Sequence, residues 1–430
     1  MSSIFSWIFG SSPKPKPSPD KTVVVIGGGM AGLSVIYNLR QLDDEVQIVL
    51  IDPKEYCEVL WASYRSPFVD WVAQGSLILL ERYCKEYNVK HIQSKVTKLS
   101  KDQVTLDNEG KDPIKFDACV IATGATSNWK GMGRDLPTSS EETTAAYRLN
   151  QMKHEGERIL SSKSVVIIGG GLIGTELAGD IAYNLKKNGQ ETPTVTVIHS
   201  TSQLCPIMSV DAGTKMKDML ENLDVKVILN EKASIKTEEN SNTNDDDDTK
   251  VVVLQNSKDE IKDVDIVIQT VGFISRNKDI MDPNDFPPNE VFDQRGWIVT
   301  DEYFCVMGSP DSKNNIFAFG DCSTNLPNAG NVYMRCAKTL ANNIKVSLNS
   351  NNNSDEKEEE EETNKMEMEK LEIPFAGYCN TAGMEQGIFY SSKFWTQYIL
   401  PWMKNKTMFF SAPRDMAGIK SEFTLLAEGN

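Results

Sequence analysis

The sequence predicts an α/β protein that contains two copies of one strand–turn–helix unit. Each copy joins an apolar, β-branched strand to a glycine-rich turn and then to a helix. The two turns begin at Gly27 and Gly169, which lie 142 residues apart, about the length of one domain. This spacing indicates an internal duplication of a whole domain rather than a short solenoid repeat.

Composition and charge exclude several classes of protein. Of the 430 residues, 40% are hydrophobic and 25% are charged, which is typical of a globular chain. The formal net charge is −16, and the acidic runs 238–248 and 355–362 each carry −6 of it. Because no basic stripe offsets this acidity, we do not expect nucleic-acid binding. No apolar run is long enough to predict a membrane-spanning helix.

The cysteines and histidines do not form a metal-binding pattern. The chain has eight cysteines, none in CxxC spacing, and only three histidines, so no metal site is predicted. Scattered, reduced thiols are typical of an intracellular protein. We therefore expect a cytoplasmic location, with the surface of a membrane, a lipid droplet or a mitochondrion as an open alternative.

The first glycine-rich turn (27–32) has the pattern Gly27-x-Gly29-x-x-Gly32, directly after the strand that ends at Ile26. In this pattern the glycines permit a tight turn, a close approach of a pyrophosphate and close packing of the helix on the strand. Asp52 ends the next strand, where a carboxylate can bind the ribose hydroxyls of a dinucleotide. The first copy is therefore predicted to bind a dinucleotide.

The second glycine-rich turn (169–174) repeats the pattern as Gly169-x-Gly171-x-x-Gly174, but its next strand ends in His199 rather than in an acid. Without that carboxylate, the preference for a bare ribose over a 2′-phosphate is weaker. Glu176 follows on the first helical turn, and we expect it to contact the cofactor. The alternative is that Glu176 only interacts with the helix dipole.

Two more strands end in the pairs Thr123-Gly124 and Gly320-Asp321. With the first turn, these segments resemble the two-dinucleotide-binding-domain flavoproteins, the glutathione-reductase-like superfamily, over roughly residues 22–345. In that superfamily the first turn holds FAD and the second holds NADH or NADPH. The resemblance implies FAD contacts from Gly27, Gly28, Gly29, Ala31, Gly32, Asp52, Val96, Thr123, Gly124 and Asp321. It implies nicotinamide nucleotide contacts from Gly169, Gly171, Gly174 and Glu176.

The disulfide reductases of this superfamily carry a redox cysteine pair, which this chain lacks. Cys57 and Cys322 stand alone in the sequence, and we expect both to be packing residues. The segment 52–65 is similar to the apoptosis-inducing-factor-2-like, ferroptosis-suppressor branch, in which a Lys and an Arg lie near FAD. The resemblance maps these two residues onto Lys54 and Arg65, and the alternative for Arg65 is an ordinary surface ion pair.

The resemblance implies an FAD-dependent NAD(P)H oxidoreductase that passes electrons to a quinone-type acceptor without a redox disulfide. The acceptor would bind beside the aromatic C-terminal segment, whose aromatic side chains could instead form a core. A helix predicted from Asn331 would point its positive end at the reduced flavin. No general acid or base is evident, so no catalytic residue is predicted. Two alternatives stay open: a reductase of monodehydroascorbate or of an iron–sulfur protein, and a redox-sensing death effector that acts through partner binding.

These patterns predict a second nucleotide-binding domain inserted in the first, followed by a small C-terminal domain. The expected segments are an apolar N-terminal peg with a Pro-rich linker (1–21), the first part of the FAD domain (22–160), the NAD(P)H domain (161–275), the second part of the FAD domain (276–348), an acidic insert (349–370) and the C-terminal domain (371–430).

We predict that the N-terminal peg binds membranes peripherally, and the alternative is a disordered terminus that folds onto the body. Residues 4–9 include five large apolar side chains, and Lys14 and Lys16 follow in a Pro-rich tether suited to anionic head groups. Ser2 stands where an N-myristoyl anchor needs glycine, so this lipid anchor is not expected. In liposome flotation, the full chain should float and a variant beginning at Asp20 should not. Equal flotation of the two proteins would contradict the prediction.

Overall fold

The structure is a computed structural model that describes residues 20–107, 112–127, 129, 136–187, 194–236, 250–275, 277–308, 315–325, 330–350, 367–372, 377–391, 395–397, 399–409, 413 and 416. The predicted N-terminal peg and both acidic runs lie outside the described residues. Within the described ranges, no helix is both long and apolar enough to cross a membrane.

The helices and strands follow one another in three groups. The first group is β1 (Thr22–Ile26), α1 (Met30–Leu42), β2 (Gln47–Asp52), β3 (Tyr56–Glu58), α2 (Asp70–Ser76), β4 (Leu77–Leu79), α3 (Leu80–Glu86), β5 (Lys90–Gln93), β6 (Val96–Leu99), β7 (Gln103–Leu106), β8 (Ile114–Lys115), β9 (Ala118–Ile121), β10 (Thr126–Ser127) and α4 (Ala145–Leu160). The second is β11 (Ser164–Ile168), α5 (Leu172–Lys187), β12 (Thr194–Ile198), α6 (Val210–Glu221), β13 (Lys226–Ile228), β14 (Ala233–Lys236), β15 (Lys250–Leu254), β16 (Glu260–Val264) and β17 (Ile266–Gln269). The third is β18 (Phe273–Ile274), α7 (Pro288–Val291), β19 (Ile316–Ala318), α8 (Gly330–Ser350), β20 (Gly377–Ala382), β21 (Gln386–Ser391), β22 (Trp395–Thr396) and α9 (Ile399–Thr407).

A five-stranded parallel sheet in the order β19-β9-β1-β2-β5 forms the centre of the first nucleotide-binding domain. Strand β19 comes from the chain that follows the second domain, so the second domain is inserted in the first. Val23, Val24 and Val25 are fully buried in β1, because helices or other strands cover both faces of a parallel sheet.

The second domain repeats this plan with a four-stranded parallel sheet in the order β13-β12-β11-β17. Each domain also carries an antiparallel three-stranded sheet, β6-β7-β8 in the first and β14-β15-β16 in the second. The turns are equivalent in detail: Gly27 N–H donates to Ile51 O and Gly169 N–H donates to Ile198 O, both at 2.9 Å. The predicted fold class, with its inserted second domain, is confirmed.

Helix α8 packs against α1 behind the first sheet. It begins at Gly330, one residue before the predicted start, and continues to Ser350. Its buried Lys345 forms an ion pair with Asp43 at the end of α1. This packing fixes the N-terminal end of α8 relative to the first glycine-rich turn.

The C-terminal domain consists of the antiparallel sheet β20-β21-β22 and helix α9. Strand β20 packs closely on α5 at Gly179, where an added Cβ would lie 2.6 Å from Gly383 N and 2.7 Å from Ala382 Cα. Only glycine allows this approach. The close contact brings the C-terminal domain to the second glycine-rich turn, which precedes α5.

Candidate active site

One cleft of about 1280 Å³ joins the two nucleotide-binding domains and the C-terminal domain. Pockets for drug-sized ligands have volumes of roughly 300–1,000 Å³, so this cleft has room for more than one such ligand. Twelve of the sixteen predicted site residues line it, namely Gly27, Gly28, Gly29, Ala31, Asp52, Lys54, Val96, Thr123, Gly124, Gly171, Glu176 and Asp321. The other four lie outside its lining, and the structure shows why.

The first glycine-rich turn has the geometry of a pyrophosphate site. An added Cβ at Gly29 would meet no atom within 4 Å, so the backbone there is open to a ligand. Gly32 has a packing role, because a Cβ there would lie 2.1 Å from Gly27 O. Gly27 itself has φ of +109°, a conformation that L side chains rarely adopt. These are the three separate uses of glycine that the motif predicted.

Asp52 and Asp321 place two carboxylates along the first part of the cleft. Asp52 accepts hydrogen bonds from Gly28 N at 2.6 Å and from Lys54 N at 2.8 Å. Burial raises the pKa of Asp52, against the lowering effect of these two bonds. Asp321 accepts a hydrogen bond from the hydroxyl of Tyr333, in the first turn of α8. These carboxylates fit the ribose and ribitol hydroxyls of a dinucleotide with a flavin.

The second glycine-rich turn has the same division of roles. An added Cβ at Gly171 would meet no atom within 4 Å, whereas one at Gly174 would lie 1.8 Å from Gly169 O. Gly169 has φ of +119°. Gly169 and Gly174 therefore shape the turn without lining the cleft, and Gly171 leaves its backbone open to a pyrophosphate.

His199 occupies the place in the second domain that Asp52 occupies in the first. Its Nδ1 accepts a hydrogen bond from Gly170 N at 3.1 Å, the counterpart of the bond from Gly28 to Asp52. Because Nδ1 is the acceptor, the ring proton of a neutral His199 lies on Nε2. Burial lowers the pKa of His199, so the ring is neutral at pH 7. The structure thus gives this strand end no negative charge.

Glu176 forms a buried ion pair at the cleft with Lys404, a residue that sequence reasoning missed. Lys404 Nζ lies 2.6 Å from Glu176 Oε1 and also donates to Cys379 O at 2.7 Å. Burial lowers the pKa of Lys404, but Glu176, Tyr64 and Cys379 together raise it by more, so the ammonium keeps its charge. Nothing in the local sequence distinguishes Lys404 from Lys406, the other lysine of α9, because its partner lies 228 residues away.

Arg65 does not lie at the cleft as the resemblance implied, nor does it form a surface ion pair. Its side chain is fully buried and pairs with the equally buried Asp180 of α5, at 3.1 Å. It also donates to Thr381 Oγ1 at 3.2 Å and to Gly383 O at 3.0 Å, both in the C-terminal domain. The sequence could not show this, because all three partners come from later parts of the chain.

Aromatic side chains of the first and the C-terminal domains line the remaining part of the cleft. This aromatic wall consists of Trp61, Tyr64, Tyr378, Phe389 and Phe409. The indole Nε1 of Trp61 donates to Met408 O at 2.8 Å, which holds the end of α9 against the first domain. Met408 and Phe409, which follow the end of α9, have positive φ values of 47° and 54°, a conformation that commonly ends a helix.

The cysteines near the cleft have the properties of packing residues. Cys57 and Cys322 are both buried, and burial raises the pKa of each thiol, that of Cys322 to about 11. Reactive cysteines instead have lowered pKa values and positive surroundings.

The comparisons with known proteins agree with this site. The family model for Pyridine nucleotide-disulphide oxidoreductase matches residues 21–370, and the chain belongs to this family. It is 25% identical over 312 residues to Apoptosis-inducing factor homolog B of Dictyostelium discoideum, covering 71% of this chain and 76% of that protein. It is 24% identical over 328 residues to Ferroptosis suppressor protein 1 of Xenopus tropicalis, covering 76% and 80%. In fold it is similar to the sulfide:quinone oxidoreductase of Aquifex aeolicus, with a TM-score of 0.67 and 19% identity over 94% and 93% of the two chains.

Within this family the relatives place the chain in the branch of the apoptosis-inducing factor homologs and ferroptosis suppressors, as the segment 52–65 predicted. The protein is therefore a flavoprotein oxidoreductase that uses a nicotinamide nucleotide. The C-terminal domain, which supplies Lys404, lies beyond the residues that the family model matches.

We predict that substitutions of two glycines in the second turn have different effects, one on nucleotide binding and the other on folding. Gly171→Ala should leave the fold and the bound flavin intact but slow the reduction of flavin by NADH, because the new methyl group occupies open space needed by the pyrophosphate. Gly174→Ala is the matched control and should lower the melting temperature, because its methyl group meets Gly169 O. Stopped-flow absorbance and thermal melting measure the two effects. Unchanged reduction of the Gly171 variant by both NADH and NADPH would contradict the assignment.

We predict that Asp321→Ala weakens flavin binding. The loss of a charged hydrogen-bond acceptor costs about 1.5–3 kcal/mol, roughly a tenfold to a hundredfold rise in Kd. Titration of the apoprotein with FAD, followed by flavin fluorescence, measures the Kd. Asp218→Ala, at an exposed position of α6, should bind FAD like the parent. Equal affinity of the two variants would contradict the role of Asp321.

Proposed function

We propose that the protein is an FAD-dependent NAD(P)H:quinone-type oxidoreductase. The observation that carries the proposal is the continuity of the cleft, which joins both glycine-rich turns to the aromatic wall. Both nucleotides and an apolar acceptor can therefore bind in one continuous cleft. When bound there, a flavin accepts a hydride from a nicotinamide and passes the electrons to an acceptor.

The first turn is suited to FAD in particular, rather than to a mononucleotide. Open backbone at Gly29 fits a pyrophosphate, and Asp52 fits the ribose of the adenosine half. Thr123 and Gly124 line the cleft after β9, at the carboxyl end of the sheet. Thr123 Oγ1 donates to Asn277 Oδ1 at 2.5 Å, which ties this edge to the segment that follows the inserted domain.

The positive end of α8 supports the same proposal. Tyr333 and Met334, in the first turn of this helix, line the cleft next to Asp321. The N-terminal end of a helix favours negative charge nearby. The end of α8 would therefore stabilise the charge that accumulates on a reduced cofactor, as expected for a helix beginning near Asn331.

The second turn and Glu176 are suited to NADH or NADPH. Glu176 Oε1 accepts three hydrogen bonds, from Thr381 N, Thr381 Oγ1 and Lys404 Nζ. No described residue bonds Oε2 of Glu176, and Glu176 lines the cleft, so this oxygen is available to a ligand. The pair Glu176–Lys404 would orient the nicotinamide and keep water out of the space around it.

The aromatic wall favours a quinone over a small polar acceptor. A flat, apolar ring stacks on aromatic side chains, and each such contact is worth about 0.5–1.5 kcal/mol beyond the buried area. The Lys404 ammonium lies 5.3 Å from the centre of the Tyr64 ring, so a positive charge borders the wall where a quinone oxygen could accept a hydrogen bond.

We predict steady-state oxidation of NADH or NADPH with short-chain quinones. Phe389→Ala should raise the KM for the quinone about tenfold, since the lost ring contact is worth on the order of 1.5 kcal/mol. The matched control is Trp402→Ala, because the side chain of Trp402 is 60% exposed on α9. Absorbance of the nicotinamide measures the rate.

An acceptor series decides between this proposal and its alternatives. Turnover only with monodehydroascorbate or with an iron–sulfur protein would overturn the quinone assignment. Slow reduction to a long-lived complex, without turnover on any acceptor, would instead support a redox sensor that acts through partner binding.

A further inference from the structure

A chain of buried polar groups connects the Arg65–Asp180 ion pair to Glu176 at the cleft. Asp180 and Glu176 lie one helical turn apart on α5. Thr381 of β20 contacts Glu176 and also Arg65, the partner of Asp180. The side chains of Arg65 and Asp180 are fully buried, and Thr381 is fully buried as well. Thr381 does not line the cleft, so it contacts Glu176 on the side that faces away from the cleft.

The hydroxyl group of Thr381 has three polar neighbours, one of which is the hydroxyl of Tyr64 at 3.4 Å. The Thr381 hydroxyl accepts a hydrogen bond from Arg65 Nη2 at 3.2 Å and donates one to Glu176 Oε1, also at 3.2 Å. A guanidinium group has donors but no acceptor, so the hydroxyl can only accept from Arg65. Its single proton is then directed at Glu176. Because the Glu176 carboxylate can only accept and Arg65 can only donate, both neighbours favour the same direction of the bond that reaches the cleft.

The Arg65 side chain is in turn fixed by Asp180. Burial raises the pKa of Asp180 to about 6, although Arg65 lowers it, so the carboxyl is ionised at neutral pH. Both carboxylate oxygens lie 3.1 Å from Arg65 Nε. An ion pair without solvent contact has few alternative geometries, and it holds the guanidinium group against Thr381.

We infer that Thr381 is a positioning residue. Its hydroxyl, held by Arg65, bonds Glu176 and so fixes the orientation of the carboxylate that faces the nicotinamide nucleotide. The inference rests on the proposed function, because it assigns the nicotinamide site to the second turn and Glu176. Thr381 N and Lys404 hold the same oxygen of Glu176, as does the Asn380 amide nitrogen at 3.2 Å in its satisfied orientation, and the hydroxyl adds a further bond that limits rotation of the carboxylate.

Substitutions of Thr381 test this inference without unpairing a buried charge. Thr381→Val keeps the branched shape and removes the hydroxyl, while Arg65 retains Asp180 and Gly383 O. Thr381→Ser keeps the hydroxyl and removes the methyl group. Substitution of Arg65 itself would leave Asp180 buried without a partner and would threaten folding, so it is the less informative variant.

The measurements are the flavin content, the melting temperature, the Kd of NAD⁺ from quenching of flavin fluorescence, and the reduction of flavin by NADH in stopped flow. In the Val variant we expect the limiting rate of reduction to fall about tenfold, with flavin content unchanged and half-saturating NADH within threefold of the parent. In the Ser variant the limiting rate should recover to within threefold of the parent. The Kd of NAD⁺ should stay within threefold in both, because the turn that holds the pyrophosphate is not altered.

Three results would overturn the inference. A Val variant with the limiting rate of the parent would show that the hydroxyl does not position Glu176, and a lower melting temperature alone would make Thr381 a packing residue. A Ser variant as slow as the Val variant would assign the effect to the methyl group. A parent protein that neither NADH nor NADPH reduces would overturn the proposed function itself, and this inference with it.

Discussion

The Arg65–Asp180 ion pair is the interaction on which the geometry of the cleft depends. Two buried charges lose their hydration, and such a pair is tolerated only when further hydrogen bonds satisfy it. Here the additional acceptors are Thr381 and Gly383, so the pair joins the first domain, helix α5 of the second domain and the C-terminal domain. Displacing the first or the second domain would break the ion pair, and displacing the C-terminal domain would remove two further acceptors of Arg65.

The place of the C-terminal domain decides which groups reach the cleft. Because β20 packs against α5 at Gly179, strand β20 and helix α9 are brought to the second turn. Lys404 then meets Glu176, and the aromatic residues of β21 and the end of α9 close one side of the cleft. The same two nucleotide-binding domains without this third domain would leave Glu176 without Lys404.

The two nucleotide-binding domains share the strand–turn–helix arrangement and differ in the side chain that supports the turn. In both, the residue that ends the second strand accepts a hydrogen bond from the second glycine of the turn. Asp52 does so with a carboxylate and His199 with a neutral ring nitrogen. The second domain therefore has the same hydrogen bond to its turn but lacks the negative charge that discriminates against a 2′-phosphate.

The sequence by itself determined the features that depend on neighbouring residues. Strands, turns and the positions of glycine follow from steric rules that act over a few residues, so the fold class, both turns and Asp52 could be predicted. The resemblance to the flavoprotein superfamily added the lining residues Thr123 and Asp321. Only the tertiary structure decided which charges meet. Arg65 was assigned to the flavin from local resemblance, but its partners Asp180 and Thr381 lie 115 and 316 residues away. A buried charged side chain is placed by the partners that satisfy it, and when these lie far away in the sequence no local pattern records them.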